Sequence, residues 1–276
     1  MARRELAQRV ADGLPRLVAE EVLLTGSVSR GVADDYSDIE MLVVTREELS
    51  LDDCFALARG AGLTEIATWG APHPVTRRVS GTRDGVPIEL IWWPRDHAEA
   101  QVDALLAGSV TATADALVHG VALRTGGLLA SWQERLRAYP PAVATAQIEE
   151  AALPWGGFAP AGLMTLMRAG ERLALVEWIV DAALRVLTIV YALNRVWPPT
   201  TKRLAARTEA LAVKPDRIAE RIEAALTDPD PERALRLMTQ LQLDTVLLAP
   251  RGPYVDRARI WLRRAMDVLE SRRTQD

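Results

Sequence analysis

With 276 residues, 49% of them hydrophobic and 25% charged, the chain has the balance of a globular protein and enough length for one large domain or two ordinary ones. A formal net charge of −4 and the lack of a basic run argue against a nucleic-acid-coating surface, which needs a basic stripe to displace counterions. A single cysteine, Cys54, rules out an internal disulfide and any cysteine-based zinc site, and fits a reducing cytoplasm.

The opening MARRELAQRVADGLPRLVAEE has basic residues but no uninterrupted apolar segment, so it reads as an amphipathic helix over residues 2–19 and not as a secretion signal. EEVLLTG follows as a short apolar strand ending at Gly26. SVSRGVADDYS supplies a helical turn and a loop, and DIEMLVV is a second strand. LSLDDCFALARGAGL predicts a helix with Ser50 as its N-cap. RRVSGTRDGVPIELIWW predicts a hairpin turning at Arg83-Asp84-Gly85, where Asp-Gly provides the positive φ of a tight turn.

After residue 97 the strand signals stop. Helical patterning then recurs over 101–108, 128–138, 142–153, 162–196, 217–227, 232–248 and 254–273, and TDPDPE at 227–232 marks a loop with a helix start. The segment 173–197 is the most apolar, but Glu177, Asp181 and Arg185 recur every four residues along one face. Charges at mid-span are costly in a bilayer, so this is a bundle helix with one polar stripe and no membrane partner is expected. The expected fold class is α/β (α+β): a mixed-sheet core over residues 1–125, then an all-α helical bundle over 126–276.

The chemistry concentrates in TGSVSRGVADDYSDIEMLVV, residues 25–44. Asp38 and Glu40 stand at i and i+2 on one strand, so both project from the same face, roughly 7 Å apart along it. Two like charges so close call for a cation, and an all-oxygen donor set suits Mg²⁺, which binds one or two carboxylates together with substrate phosphates. Gly26 and Ser27, at the mouth of a short helical turn, offer a phosphate cradle: glycine admits a close backbone approach, and the Ser27 hydroxyl and free N–H groups can donate to phosphate oxygens. Arg30, about one turn further on, can reach the same phosphates. Glu89 on the hairpin completes the acidic cluster if its strand lies beside DIEMLVV, and can hold metal or accept a proton from an attacking hydroxyl. Trp92 and Trp93 follow closely enough for one to line an acceptor pocket. His73, His97 and His119 lack metal-ligand spacing and read as structural or surface residues.

At these residues the chain resembles the nucleotidyltransferase superfamily, whose pattern is a hydrophobic strand, Gly-Ser, an Asp-x-Asp or Asp-x-Glu pair after roughly ten residues, and a later acid on another strand. Gly-Ser-x-x-Arg followed by Tyr-Ser-Asp-Ile-Glu-Met is similar to the kanamycin nucleotidyltransferase type. The resemblance implies that Gly26, Ser27 and Arg30 bind triphosphate and that Asp38 and Glu40 bind Mg²⁺, with Glu89 as the third acid. It further implies transfer of AMP from ATP to a hydroxyl, with pyrophosphate leaving. ALNRVWPPTTKRL resembles a helix-then-lysine pattern of the helical domain, which would put Lys202 on the triphosphate.

One departure concerns the general base. The kanamycin type takes it from a helical Glu-x-x-x-Lys, and residues 126–200 contain none. Glu149, Glu150, Glu171 and Glu177 are candidates without a motif, and Glu89 is the alternative. The leading expectation is a cytoplasmic, Mg²⁺-dependent adenylyltransferase acting on a small hydroxylated acceptor such as an aminoglycoside. The alternatives are a protein-modifying enzyme of the same chemistry and a non-catalytic nucleotide sensor.

Overall fold

The computed structural model describes residues 2–71, 73–156 and 172–273. Backbone contacts divide the chain into two compact units, Met1–Ala138 and Tyr139–Asp276.

The first unit is built on six strands. Helix α1 (Ala2–Gly13) leads into β1 (Ala19–Thr25), the single helical turn α2 (Gly26–Ser29) and β2 (Ile39–Thr45). Then come α3 (Leu51–Gly60), β3 (Thr64–Thr68), β4 (Arg77–Arg83), β5 (Val86–Pro94), α4 (Arg95–Leu106), α5 (Ala112–Val118), β6 (Val121–Arg124) and α6 (Leu128–Arg137). The sheet order is β3-β4-β5-β2-β1-β6. Only β2 and β5 pair in parallel, which makes the sheet mixed.

Alternation along the strands assigns the two faces. Val22 and Leu24 of β1, Ile39, Met41 and Val43 of β2 and Ile88, Leu90 and Trp92 of β5 are buried in one core with Leu6, Ala7 and Val10 of α1 and Cys54 and Ala58 of α3. Burial pushes the Cys54 thiol up to about 12, so it is a packing residue and not a nucleophile. The other face is covered in part by α4 and α6, which bury Ala98, Val102, Leu129 and Trp132. Covered on both sides, β2 reads as a nearly unbroken apolar run, with Glu40 the exception.

Several expectations need correction. Helix α1 ends at Gly13 rather than near residue 19, because Pro15 cannot continue a helix and its carbonyl instead accepts from Val18 and Ala19 in a turn. Strand signals do not stop at residue 97: β6 adds four residues to the sheet edge, and β3 forms the other edge. Helix α5 was also unforeseen. The hairpin turn is as expected, with Asp84 and Gly85 at φ +54° and +73°, and Ser50 caps α3 in a capping box with Asp53.

The described part of the second unit is helical: α7 (Pro141–Ala152), a 3₁₀ turn (Leu153–Gly156), α8 (Arg172–Leu193), α9 (Leu204–Glu209), α10 (Ile218–Thr227), α11 (Pro231–Leu248) and α12 (Pro253–Arg273). The short α9 was not foreseen, and the predicted helix over 162–196 falls partly outside the described residues. Its core includes Ile179, Val186 and Val190 of α8 with Leu235, Met238 and Leu241 of α11. Asp230 caps α11 by accepting from Glu232 and Arg233 N–H groups, and Pro231 stands at its first turn. Among the described residues no helix is long and apolar enough to cross a membrane.

Candidate active site

Strand register brings the acids together. Glu40 and Glu89 are direct partners across the parallel β2–β5 pair, so their Cα atoms are about 5 Å apart and both side chains leave the same face. Ser80 of β4 is opposite Glu89 on its other side. Asp38 directly precedes β2, two residues from Glu40, and all three acids are half-buried. Asp38, Glu40 and Glu89 each have partners in this structure.

The loop that delivers Asp38 is tied locally. Asp34 accepts from the Tyr36 amide at 3.2 Å and the Ser37 hydroxyl at 2.8 Å, while the Asp34 amide donates to Ser37 Oγ at 2.9 Å. Upstream, the Val32 amide donates to the Ser27 carbonyl and closes the turn that follows α2.

Gly26 is the junction between cradle and acids. Its φ is +70°, and a Cβ there would lie 2.7–2.9 Å from the carboxylate atoms of Glu40, so any side chain would have to push that carboxylate aside. Thr25, paired with Glu40 across β1–β2, donates its hydroxyl to the Glu40 carbonyl at 3.3 Å. The Gly-Ser turn therefore sits directly on the acidic strand. Ser27 Oγ is buried and without a hydrogen-bond partner.

Arg30 is engaged elsewhere in the same unit. Its Nη2 donates to a carboxylate oxygen of Asp115, a 1% exposed residue on α5, and to the Asp115 carbonyl at 3.4 Å. His119 Nδ1 is 3.2 Å from the other carboxylate oxygen. The hydrogen bond with Asp115 raises the imidazole pKa above its ordinary value, against burial and the nearby Arg30 charge. Asp115 escaped the sequence reading, which placed His119 among structural or surface residues, although an acid and a histidine four apart in ADALVH were a visible signal.

Trp92 belongs to the core, while Trp93 remains partly exposed with its ring 5.4 Å from that of His97. Lys202 belongs to the second unit, exposed in the turn before α9. Of the glutamates considered for general base, Glu149 caps α12, accepting from the Tyr254 amide at 2.8 Å, and Glu150 and Glu177 are exposed. Glu171 lies outside the described residues.

Among the described residues no three His, Cys, Asp or Glu side chains form a ready-made metal cage. The Asp38, Glu40 and Glu89 carboxylates nevertheless suit a hard cation that draws part of its shell from a bound phosphate.

No family model and no curated protein matches the chain. Among solved structures it is similar to a nucleotidyltransferase-like protein from Exiguobacterium sibiricum, at 11% identity over 91% of this chain and 84% of that one, with a TM-score of 0.41.

Proposed function

We propose that the chain is a Mg²⁺-dependent nucleotidyltransferase that moves AMP from ATP to a hydroxyl of a small molecule, with a polycationic aminoglycoside-like compound as the first acceptor to test. The observation that carries this reading is the register of Glu40 with Glu89, with Gly26 packed against the Glu40 carboxylate. An acidic pair of the oxygen-donor kind that Mg²⁺ prefers and a glycine turn suited to phosphate meet on one sheet face.

In this reading Asp38 and Glu40 hold Mg²⁺, which neutralises phosphate charge when bound. Ser27 and the turn amides orient phosphate oxygens. The acceptor oxygen forms a bond to the α-phosphorus as the bond to the bridging oxygen of the β-phosphate breaks, and pyrophosphate departs with that electron pair. The acceptor proton passes to a carboxylate; Glu89 is suited to this, as Glu149 is committed to a helix end. Lys202 is assigned to the triphosphate by its sequence pattern.

The test is pyrophosphate release from ATP with Mg²⁺ across a panel of aminoglycosides and other polyhydroxylated amines, with mass analysis of the products. A gain of one nucleoside monophosphate on an acceptor is expected, reduced by about a hundredfold or more in folded Asp38→Asn and Glu40→Gln variants. Equal turnover in those variants would remove the acidic pair from the chemistry.

A further inference from the structure

Beside the Gly-Ser turn, one buried carboxylate serves two basic side chains. Asp115 receives Arg30 Nη2 on one oxygen and stands 3.2 Å from His119 Nδ1 with the other. Its backbone carbonyl oxygen joins in, 3.4 Å from Arg30 Nη2 and 3.0 Å from His119 Nδ1. The carboxylate is 1% exposed, against 18% for the Arg30 side chain and 45% for His119. Arg30 Nε is buried and has no hydrogen-bond partner, so the guanidinium has donor capacity that Asp115 does not use.

The charge count has two states. With His119 neutral, Arg30 and Asp115 cancel; with His119 protonated, the trio carries one net positive charge. The charged groups acting on the imidazole are Asp115 on its own helix and Arg30 at the end of α2. Helix α6, packed against α5, presents the uncharged amide of Gln133, which donates to the carbonyls of Leu117, Val118 and Gly120. Asp115 favours the imidazolium and Arg30 disfavours it, so an anion that draws on the Arg30 charge removes the opposing influence and favours proton uptake at His119.

We propose that Asp115 and His119 are positioning residues that make Arg30 a proton-linked holder of phosphate oxygens: Asp115 fixes the guanidinium, and His119 adds a positive charge as it protonates. This rests on the nucleotidyltransferase reading and assigns its phosphate end a pH dependence. Binding of the anion and protonation of His119 reinforce each other, so affinity rises as pH falls through the titration of His119 and levels off below it.

The experiment is calorimetric titration of the full chain with ATP and Mg²⁺ between about pH 6 and pH 8.5, in two buffers of different ionisation enthalpy, with the His119 ring followed by NMR. Expected are net proton uptake, an upward shift of the His119 titration on binding, and affinity about three- to tenfold tighter at the acid end. His119→Gln abolishes the uptake and flattens the profile, and also controls for titration of the ligand. Asp115→Asn weakens binding at every pH; where it does not fold, Arg30→Lys replaces it, since lysine keeps the charge but loses the planar fork. Saturable ATP binding without proton uptake, and with the same pH profile in His119→Gln, overturns the proposal and leaves the nucleotide reading standing. A folded wild-type chain that binds no ATP at any of these pH values overturns both.

Discussion

Two glutamates on neighbouring strands of one sheet meet opposite circumstances. Glu21 of β1 is fully buried, and its two carboxylate oxygens accept from the amides of Gly126 at 2.9 Å, Leu128 at 2.8 Å and Leu129 at 2.8 Å. That is the open N-terminus of α6, where Gly127 at φ +93° offers no side-chain cap. Backbone donors and the helix dipole meet the demand of the charge, and Glu21 is a structural residue supplied from more than 100 positions away. Glu40 of β2 has Glu89 beside it in register and Gly26 against its carboxylate. A buried acid saturated by amides is structural; a half-buried acid with a second acid beside it in register is the place where the proposal above puts a cation.

The largest effect that tests this contrast is on stability. Glu21→Ala leaves the buried N–H groups of Leu128 and Leu129, and the more exposed one of Gly126, without their acceptor at a helix start, and is expected to cost about 3 kcal/mol in urea denaturation while the folded fraction keeps the activity proposed above. A loss of activity beyond the unfolded fraction would break the contrast from the Glu21 side. Gly26→Ala should cost less, about 1–2 kcal/mol for the positive φ and the crowded carboxylate, yet weaken Mg²⁺-dependent ATP binding by about tenfold or more as Glu40 is pushed aside. Unchanged affinity there would separate the glycine turn from the acids. The smallest effect supplies the scale: Ser50→Ala removes an exposed helix cap and is expected to cost about 1 kcal/mol or slightly less by the same denaturation. A Glu21 loss no larger than the Ser50 loss would mean that burial adds nothing to capping here.

Local signals made much of this molecule readable. Asp84-Gly85 announced its turn and Ser50 its cap, because each depends on residues a few positions apart, and Gly-Ser with Asp38 and Glu40 stood out as a motif within fifteen residues. The misses share a different physics. TEIAT and VALR become strands only because a sheet edge is there to pair with them, and neither carries an apolar alternation long enough to declare itself. Arg30 finds Asp115 85 residues downstream, and Glu149 finds the α12 N-terminus 105 residues on; no periodicity encodes either meeting. The reach of Pro15 was underestimated, since an amphipathic pattern that continued past it hid the break.

The one parallel pairing in the sheet also has a consequence for the order of events in folding. β1 and β2 are joined by a short connection and can zip locally, as can the hairpin of β4 and β5, whereas Glu40 meets Glu89 only after 48 intervening residues have been gathered in. Loop closure of that span comes before any reward from the β2–β5 ladder, which places it among the slow, non-local steps. The acidic pair is consequently absent from any early hairpin-rich intermediate, and a growing chain acquires it only once β5 has been synthesised and docked.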